Sequence, residues 1–172
     1  MPDGLRPVAL LTFREQPRSE ARATLVFFRT EGVELKIISG DDPRTVAAIA
    51  RRVGLDVAHG VDARSLPADP VLLEEAMETD VVFGLVTSQQ KMEMVAALQR
   101  RGHTVAMTGD GVNDALALTT ADLGIAMNSA VPATETVARL VLLDGRFDRL
   151  PQVLAEGRRL IANIERVLEP LR

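Results

Sequence analysis

Short Val/Ile/Leu-rich runs alternate with segments of helical period along nearly the whole of this chain, and few architectures satisfy that alternation. Strands buried on both faces read as continuous apolar runs, and helices must separate them when they lie parallel. The runs fall at residues 8–13, 34–38, 81–86, 104–107, 123–127 and 140–143. The expected fold class is therefore α/β, a mostly parallel sheet with helices on both faces.

Local signals place the helices between these runs. Ser19 is read as the cap of a helix reaching Glu31 with Gly32 as its stop, and Leu25 and Phe28 fall three apart on one face. Asp42 followed by Pro43 opens a second helix, because proline at the first helical position loses no hydrogen bond there. Val46, Ile49, Ala50 and Val53 then follow the helical repeat up to Gly54. Ser88 is read as the cap of a third helix, with Met92, Val95 and Leu98 inward and Gly102 as its stop. A short acidic helix is expected over residues 71–78, after the loop from Pro67 to Pro70. From Pro151 onward, Val153, Leu154, Gly157, Leu160, Ile161, Ile164, Val167 and Leu168 form a helical stripe.

Composition removes several function classes. The chain has 172 residues, about one domain, and no cysteine, which excludes disulfides, thiolate metal sites and a cysteine nucleophile. A net charge of -4 and an aromatic content of 3% speak against a nucleic-acid partner. His59 and His103 lie far apart, without the spacing of zinc ligands. No stretch approaches the roughly 20 apolar residues of a membrane span, and the start Met1-Pro2-Asp3-Gly4 lacks the plan of a signal peptide. A soluble chain is expected.

The chemistry concentrates in Thr108-Gly109-Asp110-Gly111-Val112-Asn113-Asp114, directly after the apolar run 104–107. An apolar strand ending in glycines and carboxylates delivers open backbone and acidic groups to the carboxyl edge of a sheet, where open α/β folds bind ligands. Asp110 and Asp114 can serve a hard cation, since magnesium takes oxygen ligands and borrows much of its shell from phosphate and water. Ile37-Ile38-Ser39-Gly40-Asp41 ends another strand with a hydroxyl and amides at a helix start, where an anion is favoured. Lys91 follows a third strand and can place its ammonium on a phosphate. Arg18, in Arg14-Glu15-Gln16-Pro17-Arg18, can lean on a nucleotide or a neighbouring domain.

The run from Thr108 continues Asp114-Ala115-Leu116-Ala117-Leu118, then Ala121-Asp122-Leu123-Gly124-Ile125-Ala126-Met127. It resembles the T-G-D-G-V-N-D-A-P-A-L hinge motif and following A-D-I-G-I-A-M of P-type cation-transporting ATPases. The succession S/T-G-D, lysine, then G-D-x-x-N-D, each after its own strand, is similar to the plan of the haloacid-dehalogenase superfamily that contains those pumps. The resemblance implies a Rossmann-like haloacid-dehalogenase fold and a phosphoryl-transfer site, with Mg2+ as cofactor and ATP as substrate of the whole protein. It implies that Ser39 and Lys91 hold phosphoryl oxygens, that Asp110 ligates magnesium, and that Asn113 contacts the phosphate or its attacking water. Asp114 would tie the loop to Lys91, and Asp41 and Arg18 would sit near the nucleotide. Glu156-Gly157-Arg158-Arg159-Leu160-Ile161-Ala162-Asn163-Ile164 resembles the stalk helix E-G-R-x-x-x-x-N-I that leads toward the membrane. Residues 1–150 are thus expected to form the phosphorylation-domain segment and residues 151–172 the stalk-like helix. The style, including Leu140-Val141-Leu142-Leu143-Asp144, suits calcium- or magnesium-type pumps.

Three positions depart from the family pattern. Leu116 stands where the family has proline, Glu15-Gln16-Pro17-Arg18 replaces D-P-P-R, and Thr119 replaces a lysine. A larger departure is the nucleophile: neither D-K-T-G-T nor D-x-D occurs in the sequence. The expected fold therefore lacks its central nucleophile strand, between the strands ending at Ser39 and Asp110. Residues 8–13 or a second chain would fill the gap, giving self-association, or the piece would be marginally stable. The implied partners are the remaining pump domains: nucleophile strand, nucleotide-binding domain and membrane helices. In the parent protein the segment would lie on the cytoplasmic side of the cell membrane. A free-standing phosphatase of the same superfamily and a non-catalytic interaction module are the alternative readings.

Overall fold

The computed structural model describes residues 8–9, 16–127 and 132–168. The order is α1 (Ala21–Thr30), β1 (Ile37–Ile38), α2 (Pro43–Arg52), β2 (Val61–Asp62), α3 (Pro70–Thr79), β3 (Val82–Gly84), α4 (Ser88–Arg100), β4 (Ala106–Gly109), α5 (Ala115–Thr120), β5 (Leu123–Met127), α6 (Pro132–Val137), β6 (Leu140–Leu142) and α7 (Leu150–Leu168). Every strand pairing is parallel, and the strands form two sheets, as expected of a parallel sheet that lacks its central strand. One has the order β1-β3-β2 and the other β4-β5-β6. The division lies between the strands ending at Ser39 and Asp110: β1 pairs only with β3 and β4 only with β5 among the described residues. Most of the expected strand at 8–13 lies outside the described residues.

Helices cover both faces of each sheet. In β3, consecutive residues point to opposite faces, as the two-residue repeat of a strand requires. Phe83 joins Met77, Met94 and Leu98 under α3 and α4, while Val82 joins Val46, Ala47 and Ala50 under α2. In the second sheet, Ile125 and Leu142 pack with Phe28 of α1 and Leu150 of α7. On the other side Val95 of α4 meets Ala117 and Ala121, with Val105 and Met107 against them. Helix α4 thus contributes to the cores of both sheets. Met94 is fully buried there, in keeping with methionine as core filler.

Several local expectations shift. Glu20 takes the N-cap position of α1 with no side-chain cap, so Ser19 does not cap it. Helix α4 is capped by Thr87, one residue before the expected Ser88. Its hydroxyl accepts the Gln90 amide at 3.2 Å, and the Gln90 side chain returns to the Thr87 amide at 3.1 Å. This reciprocal pair satisfies two orphan donors and outweighs the general preference for serine. Strand β2 was not expected, since Val61–Asp62 contains no apolar run. Gly60 makes it reachable: a Cβ there would stand 2.3 Å from the Pro43 carbonyl oxygen. Asp42 caps α2, and Gly32, Gly54 and Gly102 take the left-handed conformation past α1, α2 and α4 as expected.

Helix α7 leaves the body as it runs. Leu150 and Leu154 belong to the core around Phe28, and Arg158 pairs with Glu31 at the end of α1. Val153, Leu160 and Ile161 are exposed. Among the described residues no helix is long and apolar enough to cross a membrane.

Candidate active site

The segments that follow β1, β3 and β4 meet at an open cleft of about 410 Å³. Gly40 lines it from the β1–α2 turn, Val86, Thr87, Ser88 and Lys91 from the start of α4, and Asp110, Gly111, Asn113 and Asp114 from the loop after β4. Parallel pairing brings the carboxyl ends of β1 and β3 to one edge, and α4, packed into the cores of both sheets, brings the loop after β4 beside them.

Two contacts join the first pair of turns. The Leu85 amide donates to the Asp41 carbonyl at 2.8 Å and the Val86 amide to the Ser39 carbonyl at 3.0 Å. Leu85 reaches this geometry at a φ of 55°, a left-handed backbone that a leucine adopts only when its surroundings enforce it. Gly84 permits the approach, since a Cβ there would lie 2.6 Å from the Asp41 carbonyl oxygen.

The charged centre is the Lys91–Asp114 pair. The Lys91 ammonium donates to Asp114 Oδ1 at 2.6 Å, with side chains 12% and 10% exposed. Asp114 Oδ2 accepts the amides of Asp110 at 3.2 Å and Gly111 at 3.1 Å. The carboxylate therefore folds back over its own loop. Gly109 is the residue that lets it do so, because a Cβ at that position would stand 2.5 Å from Asp114 Cβ. Thr134, fully buried, donates to the Gly111 carbonyl at 3.1 Å and fixes the loop from the other side. With one N–H on Asp114, Lys91 retains two for the cleft.

The structure brings Lys91, Asp110, Asn113 and Asp114 into one cleft. Asp110 and Asn113 are exposed there, and Asp110 offers a carboxylate that accepts no hydrogen bond from another described residue. Ser39 and Asp41 flank Gly40 and are engaged with each other: Ser39 Oγ accepts the Asp41 amide at 3.1 Å and donates to Asp41 Oδ2 at 3.2 Å. Arg18 is not brought into the cleft. It donates to the Gly145 carbonyl at 3.1 Å, in the turn after β6. Sequence reasoning did not place Thr87 and Ser88 at the cleft and passed over the steric role of Gly109. The Thr-x-x-Gln spacing from Thr87 to Gln90 was the readable signal for the first of these.

A parallel α/β body with lysine, Gly-Asp-Gly and Asn-Asp converging on one edge defines the class, and a family model of haloacid dehalogenase-like hydrolases matches residues 3–122. The chain belongs to that family. Its relatives within it are cation-transporting ATPases. It is 50% identical over 168 residues to the calcium-transporting ATPase CtpE of Mycobacterium tuberculosis, covering 96% of this chain and 21% of the relative. To the probable cation-transporting ATPase exp7 of Streptococcus pneumoniae it is 43% identical over 166 residues, covering 96% and 21%. The chain thus spans about a fifth of the length of these curated relatives. Among solved structures, a zinc-transporting PIB-type ATPase in the E2.Pi state superposes with a TM-score of 0.70 at 27% identity, covering 89% of this chain and 21% of that one. The catalytic domain of the CPx-ATPase CopB-B shares the fold with a TM-score of 0.61 at 24% identity, covering 80% and 45%.

Proposed function

We propose that this chain is the carboxyl-terminal part of the phosphorylation domain of an ATP-driven cation pump, in which Mg2+-dependent ATP hydrolysis proceeds through an aspartyl phosphate. The observation that carries the reading is the Lys91–Asp114 pair seated against Gly109, beside the open Asp110 carboxylate. Phosphoryl transfer needs positioning and charge neutralisation above all, and this cleft offers both. Lys91 would hold phosphoryl oxygens with the N–H groups not given to Asp114, and Ser39 would join it only after its hydroxyl leaves Asp41. Asn113 would contact the phosphate or its attacking water. Asp114 would act through its neighbours, orienting the lysine and holding the Asp110 and Gly111 amides.

The donor set suits magnesium in a limited way. Asp110 has an open carboxylate, whereas that of Asp114 is engaged by Lys91 and two amides. No group of three or more His, Cys, Asp or Glu that could hold a metal occurs among the described residues. Asp110 would thus hold the ion, whose shell is completed by phosphate oxygens, water and groups outside this chain. Bound there, magnesium supplies positive charge to the phosphoryl group.

Because the sequence contains no D-K-T-G-T, the acceptor aspartate would come from another segment of the parent protein, and this piece alone would be catalytically incomplete. Residues 1–150 would be the phosphorylation-domain segment and 151–172 the stalk-like helix, whose exposed Leu160 and Ile161 suit further packing. Asp41 would face the nucleotide. Arg18, tied to Gly145, would do so only after leaving that carbonyl. The parent would place this domain on the cytoplasmic side of the cell membrane, with the nucleotide-binding domain and membrane helices as its partners. Calcium-type transport is the reading that the likeness to CtpE supports.

Sequencing the reading frame on both sides of this segment tests the proposal. A D-K-T-G-T upstream and apolar spans of about 20 residues downstream are expected. Stop codons close to both ends would overturn it.

A further inference from the structure

Three hydroxyl-bearing residues stand around the cleft mouth, and two of them are already engaged. Ser39 exchanges hydrogen bonds with Asp41 and does not line the cleft. Thr87 lines it, but its hydroxyl accepts the Gln90 amide at 3.2 Å and lies 3.1 Å from Gln90 Oε1, to which it donates. Ser88 lines the cleft beside Lys91, is half-buried, and its hydroxyl has no hydrogen-bond partner among the described residues. It is the first residue of α4, a helix of 13 residues whose capping box uses Thr87 and Gln90 and leaves Ser88 out.

A half-buried hydroxyl without a partner, one helical turn from a lysine, is suited to a group that accepts hydrogen bonds and carries negative charge. We propose that Ser88 is a further phosphoryl-contacting residue of this site, donating from Oγ to an oxygen of the same group that Lys91 neutralises. Ser88 thereby supplies in this chain a hydroxyl that Ser39, held by Asp41, does not present to the cleft. The inference rests on the phosphoryl-transfer reading given above. The α4 N-terminus strengthens it, since the dipole and the first-turn amides favour the same anion.

Titration of inorganic phosphate into the purified chain with magnesium present, followed by phosphorus NMR, separates the outcomes. Wild type is expected to bind, Ser88→Ala to bind roughly tenfold more weakly, and Ser88→Thr to recover most of the loss, since a hydrogen bond to a charged group contributes on that order. Alanine is favourable at this helical position, so thermal unfolding should be unchanged and a folding defect would not account for the loss. Asn113→Ala, at an exposed position, reports on the site independently. If Asn113→Ala weakens binding while Ser88→Ala binds like wild type, the Ser88 assignment is overturned and the phosphoryl site stands. If wild type shows no binding, both fall.

Discussion

Gly109 and Asp114 show how a single missing side chain shapes this site. The Asp114 carboxylate occupies the volume that a Cβ on residue 109 would need, with Asp114 Oδ2 only 2.8 Å from that point. Gly109→Ala should therefore expel the carboxylate from its amides and from Lys91. Overpacking of this kind costs about 1–3 kcal/mol. Gly157 is the counter-case, exposed within α7 and with nothing within 4 Å of its would-be Cβ. Gly157→Ala should stabilise by about 0.5–1 kcal/mol, because alanine loses less backbone freedom in a helix. Urea unfolding of both variants checks the contrast. Equal effects would mean that Gly109 has no steric role.

At the scale of elements, side-chain caps tie the helices to the strand ends. Asp42 caps α2 by accepting the Arg44 amide at 2.9 Å, and the Arg44 guanidinium closes on the same carboxylate at 3.0 Å. The Arg44 side-chain hydrogen bond, with its amide second, lowers the Asp42 pKa from an ordinary 3.8 to about 2. A carboxylate with a depressed folded pKa stabilises above its unfolded value and loses that contribution as pH falls through the folded one. The loss should run from about pH 4 to about pH 2 and weaken with added salt, since the pair is exposed. Asp42→Asn keeps a cap but cannot titrate, so its stability should fall less steeply over that window. Parallel urea titrations at stepped pH measure this, and superimposable acid limbs would refute it. Asp122 serves a similar joining role in the second sheet, accepting the Val105 amide at 2.8 Å and, with it, a lowered pKa.

On the scale of the molecule, the two sheets are joined by helix packing instead of by a ladder. Helix α4 packs into both, and its Gln99 donates to the Thr120 carbonyl at 3.0 Å. The Ile37 amide donates to the Val81 carbonyl at 2.8 Å and the Ser39 amide to the Phe83 carbonyl at 3.0 Å, so by strand alternation the Ile38 amide points to the edge of β1 that pairs with no described strand. Such an edge is a template for another strand. Sedimentation across a concentration series should show mass rising toward a dimer, with Ile38 exchange slowing in step. A constant monomer mass with a fast Ile38 amide would count against pairing at this edge.

The positions of α1 to α4 and α7, the parallel α/β class and the clustering of chemistry around Gly109 to Asp114 were legible in the chain itself, because periodicity, prolines and glycines act locally. The expected strand at 123–127 matches β5 residue for residue, while β1 is three residues shorter at its start than the apolar run 34–38. Local pattern did not report β2, the short helices α5 and α6, or the shift of the α4 cap to Thr87, whereas the division between β1 and β4 falls where the family resemblance implies a missing strand. The strand and the cap depend on what lies across space: Pro43 against Gly60, and Gln90 reaching back to Thr87. The same divide runs through the site. Residue types marked Arg18, Ser39, Asp41, Lys91, Asp110, Asn113 and Asp114 as candidates, but only tertiary structure engaged Ser39 with Asp41, tied Arg18 to Gly145 and left Ser88 lining the cleft without a hydrogen-bond partner among the described residues, because hydrogen-bond partners are settled by packing and not by order along the chain.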